Sequence, residues 1–401
     1  MRGRSVGSEL RNSYTDREST TMRAALEPVR VEPINGSRDL RRFIRVPWSI
    51  YVDDPAWVPH LLLERREQFS RRHPYFAHAR CCFWLAYRGA KPVGRISAQI
   101  DALHEARYRD ATGFFGLLEA EDEAETFHAL LSTAETWLRD QGILRIRGPF
   151  NLSINQECGL LVEGYDTPPM IMMGHAHPYY AGRLAAEGYQ GVKDLLAYHV
   201  ATHFTSPELM RVVLSRAAGA VRIRPMRRSR LNEEISILQE IYEDAWSANW
   251  GFIPFTEEEF RHIGHSLRLL VEDEYVQIAE VDGVPVAMIV AFPNVNEAIS
   301  DLNGRLCPFG WLKLLWRLKV KHPKTARVAL MGVRKRFQGT ALGTALAFML
   351  IDAVRGHGIR RGVQAVELSW VLEDNIPMRN MLAMIGGVPY KRYRIYEKAL
   401  R

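Results

Sequence analysis

The chain has 401 residues, 47% hydrophobic and 25% charged, with a formal net charge of +7. That is the composition of soluble globular proteins; it excludes collagen-like, disulfide-scaffold and wholly disordered chains, and the length accommodates two domains with a core each. Cys81, Cys82, Cys158 and Cys307 show no zinc-ligand spacing, no apolar run approaches the ~18 residues that span a bilayer, and no signal peptide is visible, so a reducing, cytoplasmic setting is expected.

Residues 1–27 are rich in Arg, Ser, Thr and Glu without periodicity and read as a disordered tail. VRVEPINGSR (29–38) is a β-type run that opens an amphipathic helix from Asp39 to Ile50, and Ala86–Ile96 is a hairpin turning at Gly89. Between a strand at Phe114–Glu119 and a helix at Glu123–Gln141 there is no glycine-rich turn; Glu119, Glu121, Asp122 and Glu123 stand there and would repel a pyrophosphate. A polar, Gly/Pro-rich stretch follows, Gly148–Tyr180. Within it Asn151, Asn155, Glu157 and Tyr179 are candidate substrate-binding residues. His175 and His177 offer a base or, alternatively, two satisfied histidines.

The pattern then begins again. VRIRPMRRSR (221–230) echoes 29–38, the hairpin Ala279–Ile289 echoes Ala86–Ile96, and Gly386 with Tyr396 echoes Gly188 with Tyr198. A nearly constant offset of about 190 residues points to a duplicated unit. It divides the chain into 28–205, a helical linker at 206–219, and 220–401. The second unit reads as strand Val221–Pro225, helices Glu233–Trp246 and Thr256–Val271, strands Tyr275–Val281, Val284–Phe292 and Arg327–Val333, helix Gly339–Gly356, strand Gln364–Val371, helix Ile376–Ile385 and strand Tyr390–Glu397. This is an α/β (mixed-sheet) order. No Asp or Glu occurs from Leu302 to Ile351. Inside that run, residues 309–321 include WLKLLWRLKVK, whose Trp311, Leu314, Leu315 and Leu318 share one helical face flanked by Lys313, Arg317, Lys319 and Lys321. Such a helix suits an anionic membrane surface or docks on its own domain.

The sharpest motif is ALMGVRKRFQGTALGTALAFMLIDA, Ala329–Ala353. A strand ends at Val333, small residues turn from Gln338 to Gly343, and a helix begins. Backbone N–H groups at such a turn face a phosphate's charge. The run resembles the acyl-CoA pyrophosphate loop of the GCN5-related N-acetyltransferase (GNAT) superfamily, with Ala341 in place of a glycine and Lys335 in place of a proline. The resemblance implies two tandem domains of that fold, with acyl-CoA held in the second by Gly332, Val333, Arg334, Gln338, Gly339, Ala341, Gly343, Thr344 and Asn375. Asn375 also fits an ordinary helix N-cap. It implies no metal. It implies acyl transfer to an amine, with Glu367 as the candidate base and backbone N–H groups near Gly332 and Val333 facing the oxyanion. Leu382 stands where many members carry a tyrosine acid, leaving Tyr390, Tyr393 and Tyr396 as candidates. GPFNLSINQECG, NWGFIPFTEEEF and LNGRLCPFGWLKLLW (302–316) are similar to a bacterial tandem group that includes ceramide synthases, which adds Asn249 and Trp250 to the candidate substrate residues. The expected function is therefore an acyl-CoA-dependent N-acyltransferase whose acceptor is a long-chain sphingoid base. The alternatives are an acetyltransferase for a small soluble amine, an aminoacyl-tRNA-dependent transferase and a non-catalytic acyl-CoA sensor. The basic run lacks interleaved stacking aromatics over most of its length, which argues against nucleic acid.

Overall fold

A computed structural model describes residues 27–217, 219–267 and 271–400. All but the end of the tail read at 1–27 lies outside them. The first half supplies β1 (Val29–Pro33), β2 (Ala79–Arg88), β3 (Lys91–Asp101), β4 (Thr112–Ala120), β5 (Arg145–Gly148) and β9 (Gln190–Ala201), with small strands β6 (Phe150–Asn151), β7 (Glu157–Cys158) and β8 (Leu160–Glu163) between. The second supplies β10 (Val221–Pro225), β11 (Val276–Val281), β12 (Val284–Pro293), β13 (Thr325–Val333), β14 (Ala365–Leu372) and β15 (Val388–Ala399).

The sheet order is β1-β2-β3-β4-β5-β15-β9-β14-β13-β12-β11-β10, with β8 also on β15. It is a palindrome in which each half gives its last strand to the other. β15 pairs with β5, β9 pairs with β14, and the two exchanged strands pair with each other, all antiparallel. Among the described strands only β4–β5 and β13–β14 are parallel. The cores follow the exchange. Tyr393, Ile395 and Tyr396 of β15 are buried with the first half's residues, and Leu196, Tyr198 and Val200 of β9 with the second's. Burial on both faces explains the nearly continuous apolar sequence of the inner strands, as in β12 from Val286 to Pro293.

The helices are α1 (Gly36–Ile50), α2 (Leu62–Gln68), α3 (Ala102–Tyr108), α4 (Ala124–Asp140), α5 (Tyr179–Ala186), α6 (Glu208–Ala217), α7 (Leu231–Trp246), α8 (Glu257–Leu267), α9 (Val295–Ile299), α10 (Gly310–Trp316), α11 (Ala341–Arg360) and α12 (Ile376–Met384). The segment read as a helical linker forms helix α6, and its Met210 is fully buried. Two sequence expectations need correction. Against the reading of no membrane-length run, α11 is long and apolar enough to cross a bilayer by composition; here, however, it is a core helix, with Leu346, Phe348 and Leu350 fully buried. The face predicted for Trp311, Leu314, Leu315 and Leu318 splits. Leu314 and Leu318 are buried against Val295 and Ile299, while Trp311, Leu312, Leu315 and Trp316 are exposed.

Candidate active-site cleft

β13 and β14 pair only from Thr325–Val328 to Ala365–Leu368 and then diverge. Both bulge where they part. Ala329 has no partner in β12, since Val328 faces Ala291 and Leu330 faces Val290. On β14, Leu368 faces Tyr198 and Val371 faces Leu196, so Ser369 and Trp370 are out of register with β9. A bulge leaves backbone polar groups free of the ladder. The resulting cleft of about 1110 Å³, open solvent included, runs between Ala329–Met331 and Leu368–Leu372.

The predicted loop follows β13, whose last residue to line the cleft is Met331. Thr340 caps α11, its Oγ1 accepting from Gly343 N–H at 3.0 Å. Gly343 is required by space, because a Cβ there would lie 2.0 Å from the Phe337 carbonyl oxygen. Gly339 has φ +72, which favours glycine. Ala341 is exposed on the first turn, followed by the half-buried Thr344. Gln338 turns inward, its Nε2 donating to the carbonyls of Val333 (2.8 Å) and Ala245 (3.3 Å). Arg334 is tied to Glu240 at 3.0 Å and the Lys335 N–H to Asp244 at 2.7 Å, so α7 fixes the loop. Gly332 admits the Trp246 ring, which a Cβ would meet at 2.2 Å.

Of the residues expected to bind substrate, Asn155, Asn249 and Trp250 line the cleft, as does Asn375, which also N-caps α12. Asn151, Glu157 and Tyr179 do not. Asn151 accepts from Leu117 N–H (2.7 Å) and donates to Glu157 (3.0 Å). Glu157 is locked to Arg65; burial opposes its charge, but Arg65, His60 and Asn151 hold its carboxyl down to about 2. Tyr179 donates to the Ala120 carbonyl. His175 and His177 also lie off the cleft. His175 Nε2 meets Asp54 at 2.8 Å and His177 Nε2 the Ile50 carbonyl at 3.0 Å, so both brace the first half. Tyr396 pairs with Gly148 of β5 and does not line the cleft.

Glu367, the candidate base, is fully buried and does not itself line the cleft. One carboxylate oxygen accepts from Ser369 Oγ at 2.7 Å, the other from the Tyr390 hydroxyl. Ser369 in turn accepts from Arg327 Nε at 2.8 Å, and Ser369, unlike Glu367, lines the cleft. Among the described residues that line the cleft there is no carboxylate, imidazole or ammonium. Burial raises the Tyr242 phenol's pKa, so it stays protonated; its hydroxyl donates to Asn155 Oδ1 at 2.9 Å. Burial likewise pushes the Cys158 thiol up to about 12.

Beside the cleft is a second chamber of about 900 Å³, open solvent included, between α7, α8 and strands β12 and β13. Ile235, Leu238, Phe260, Ile263, Val290 and Phe292 contribute to its apolar wall. It shares Asn155, Phe255, Ala329, Leu330 and Trp370 with the cleft, so the two spaces meet at the bulges. A trio of Glu272, Glu274 and His357, whose ligand atoms lie within 4.8 Å, shares no residue with either space. Its Glu272 is already held by Arg361 at 2.8 Å.

Residues 235–386 match the acetyltransferase (GNAT) family. The chain is 49% identical to Protein YghO of Escherichia coli K12 over 363 residues, 90% of this chain and 93% of that protein. It is 45% identical to the bacterial ceramide synthase of Caulobacter vibrioides over 375 residues, 92% and 97% of the two chains. Solved structures of similar fold include a tandem GNAT protein from the clavulanic acid biosynthesis pathway (TM-score 0.54, 13% identity, 93% of this chain and 99% of that one). Another is a GCN5-related N-acetyltransferase from Sphaerobacter thermophilus (TM-score 0.52, 14% identity, 93% and 96%).

Proposed function

We propose, for a chain that belongs to the acetyltransferase (GNAT) family and is an N-acyltransferase, that its acceptor is a long-chain amine and its donor a fatty acyl-CoA. The observation that carries this reading is the apolar chamber that adjoins the cleft and shares Ala329, Leu330 and Trp370 with it, a space suited to an alkyl chain. The name of the Caulobacter relative points the same way. A polar amine would gain nothing from walls of Ile, Leu and Phe.

In this reading the pyrophosphate sits at the N-terminus of α11 near Gly339, Ala341 and Thr344, with Lys335 and Arg336 beside it. The pantetheine arm follows the divergence of β13 and β14 past Asn375. The thioester reaches the bulges. Ser369 Oγ accepts a proton from the ammonium while passing its own to Glu367, so the buried carboxylate acts through the hydroxyl that lines the cleft. The freed amine attacks the thioester carbon, the unpaired backbone at Ala329 supplies an oxyanion donor, and the C–S bond breaks. The Tyr242 phenol protonates the departing thiolate. The first half, 28–205, serves as scaffold and binds no acyl-CoA.

The test is direct. Purified protein is given hexadecanoyl-CoA with a long-chain amine, and product is followed by mass spectrometry. N-acyl product is expected, and Ile235→Trp, which narrows the chamber, should cut its rate by roughly ten-fold or more. Turnover of only short, soluble amines would overturn the lipid reading.

A membrane surface fits the same substrate. Phe309, Trp311, Leu312, Leu315 and Trp316 are exposed along α10, which continues as a π-turn through Lys321. Asp301 already holds Lys313 and Arg317, leaving Lys319 and Lys321 as the exposed cations there without an ion pair among the described residues. Trp311→Ser with Trp316→Ser should weaken sedimentation with neutral and anionic vesicles alike; Lys319→Glu with Lys321→Glu should weaken it only with anionic ones.

A further inference from the structure

Between α1 and α2 in the first half lies a groove of about 530 Å³, open solvent included, lined by Arg41, Ile44, Arg45, Leu62 and Arg66. No carboxylate lines it. None of its three arginines forms an ion pair with a described residue, whereas Arg65, Arg88, Arg95 and Arg183 of the same half all do. Arg41 and Arg45 stand one helical turn apart on α1, where like charges oppose the helix. The fold does not demand them. α7 follows β10 as α1 follows β1, yet α7 carries five acids and no basic residue, while α1 carries four arginines and one acid. Arginines gathered without partners around one hollow suit an anion, and the guanidinium fork matches the oxygens of a phosphate.

The groove also touches the exposed apolar segment of the second half. Leu62 N–H donates to the Gly304 carbonyl at 3.0 Å, the Trp48 indole N–H donates to Asn303, and the Arg45 guanidinium lies 5.3 Å from the Trp48 ring centre. A Cβ at Gly304 would meet the Trp48 ring at 2.8 Å, so the turn is pressed against α1. The same loop leads into α10, where Trp311 N–H donates back to the Leu306 carbonyl at 2.9 Å. One short loop thus joins the arginines to the exposed Phe309, Trp311, Leu312, Leu315 and Trp316. A soluble anion would use the arginines alone; a phosphate attached to hydrocarbon would use both features. We infer that Arg41, Arg45 and Arg66 form a head-group site for the phosphate of an anionic phospholipid. The inference rests on the membrane reading above and adds to it a forked donor site in the other half of the chain.

The experiment sediments the full chain with vesicles of phosphatidylcholine alone and of phosphatidylcholine mixed with phosphatidylglycerol. Arg41→Gln, Arg45→Gln and Arg66→Gln together should lower partitioning onto the phosphatidylglycerol vesicles by roughly a hundred-fold and change the phosphatidylcholine value far less. Arg41→Lys, Arg45→Lys and Arg66→Lys together keep the charge without the fork, and should still cost roughly ten-fold. A lysine variant that binds like the wild type would overturn the site and reduce the arginines to general attraction. A glutamine variant that binds the vesicles like the wild type would overturn it too; if that variant has lost affinity for inorganic phosphate or RNA in calorimetry, the groove belongs to that anion instead. In either case weaker binding by Trp311→Ser with Trp316→Ser would keep the membrane reading standing. A wild type that sediments with neither vesicle removes that reading and this inference together.

Discussion

The corner between β4 and α4 and the corner between β13 and α11 occupy matching places in the palindrome, and they have opposite contents. In the second half the strands part around an open cleft. In the first, the chain fills its own divergence: residues 150–152 run through it, with the carbonyls of Phe150 and Leu152 accepting from Gln99 at 2.7 and 3.0 Å. Gly116 lies so close that a Cβ would sit 1.7 Å from the Phe150 oxygen. The acids at this corner are paired internally: Glu119 with Tyr51 (2.6 Å) and Tyr180 (3.0 Å), Glu121 with Arg88, and Asp122 with Arg183. A shared topology thus supplies a place for a ligand twice, and local sequence decides whether backbone or substrate occupies it.

The most damaging way to break the comparison is to separate the halves. Residues 220–401 alone lack β9, leaving β14 without its inner neighbour; they should show no cooperative denaturant transition. A folded, monomeric second half would mean the exchange is dispensable. Next, Gln338→Glu with Gly339→Asp should lower acyl-CoA affinity at least ~100-fold in calorimetry, by charge repulsion at the helix N-terminus and a strained φ. The matching change at the other corner, Glu121→Gln with Asp122→Gly, should leave it untouched. Ser369→Ala should reduce kcat by roughly 100-fold with KM little changed, since it removes a proton path and no binding group; an unaltered kcat would exclude the relay through Glu367. The smallest effect concerns a joint between the halves. His78 Nδ1 lies 3.1 Å from Asp101 and Nε2 3.2 Å from Glu259 of α8. Burial opposes its charge, yet the two carboxylates raise its pKa to about 9. Because that value lies above the unfolded ~6.5, its stabilisation is complete below pH ~6.5 and is lost as pH rises through about 9. The urea midpoint should fall between pH 6 and 9.5 in wild type and change less in His78→Gln.

Elements were legible where periodicity and punctuation are local. The helix at Ile376 and the strand pair around Asp282-Gly283 lie where the pattern put them. The exchange of β9 and β15 was not, because nothing within an apolar strand names its neighbour. The loop from Gln338 to Gly343 was visible through its glycines, Asn155 through its irregular surroundings, and Asn249 and Trp250 through the resemblance of their segment to the tandem group. The cleft residues Tyr242 and Ser369 and the buried Arg327 were not singled out, because each lies within a helix or strand and reads as packing. His175 and Glu157 misled for the opposite reason: a dense polar cluster also arises when a loop must satisfy its own buried backbone.

The exchanged strands also bear on synthesis. Arg147 of β5 and Glu397 of β15 clasp each other at 2.6 Å across 250 positions of chain. At translation rates of about 5–20 residues per second, the first half waits on the order of tens of seconds for the strand that completes it. Until then β5 presents an open edge of the kind that pairs with the wrong chain. A newly emerging molecule thus carries that open edge while the 250 positions between the two residues are made, and the strand that closes the middle of the sheet comes from the other half.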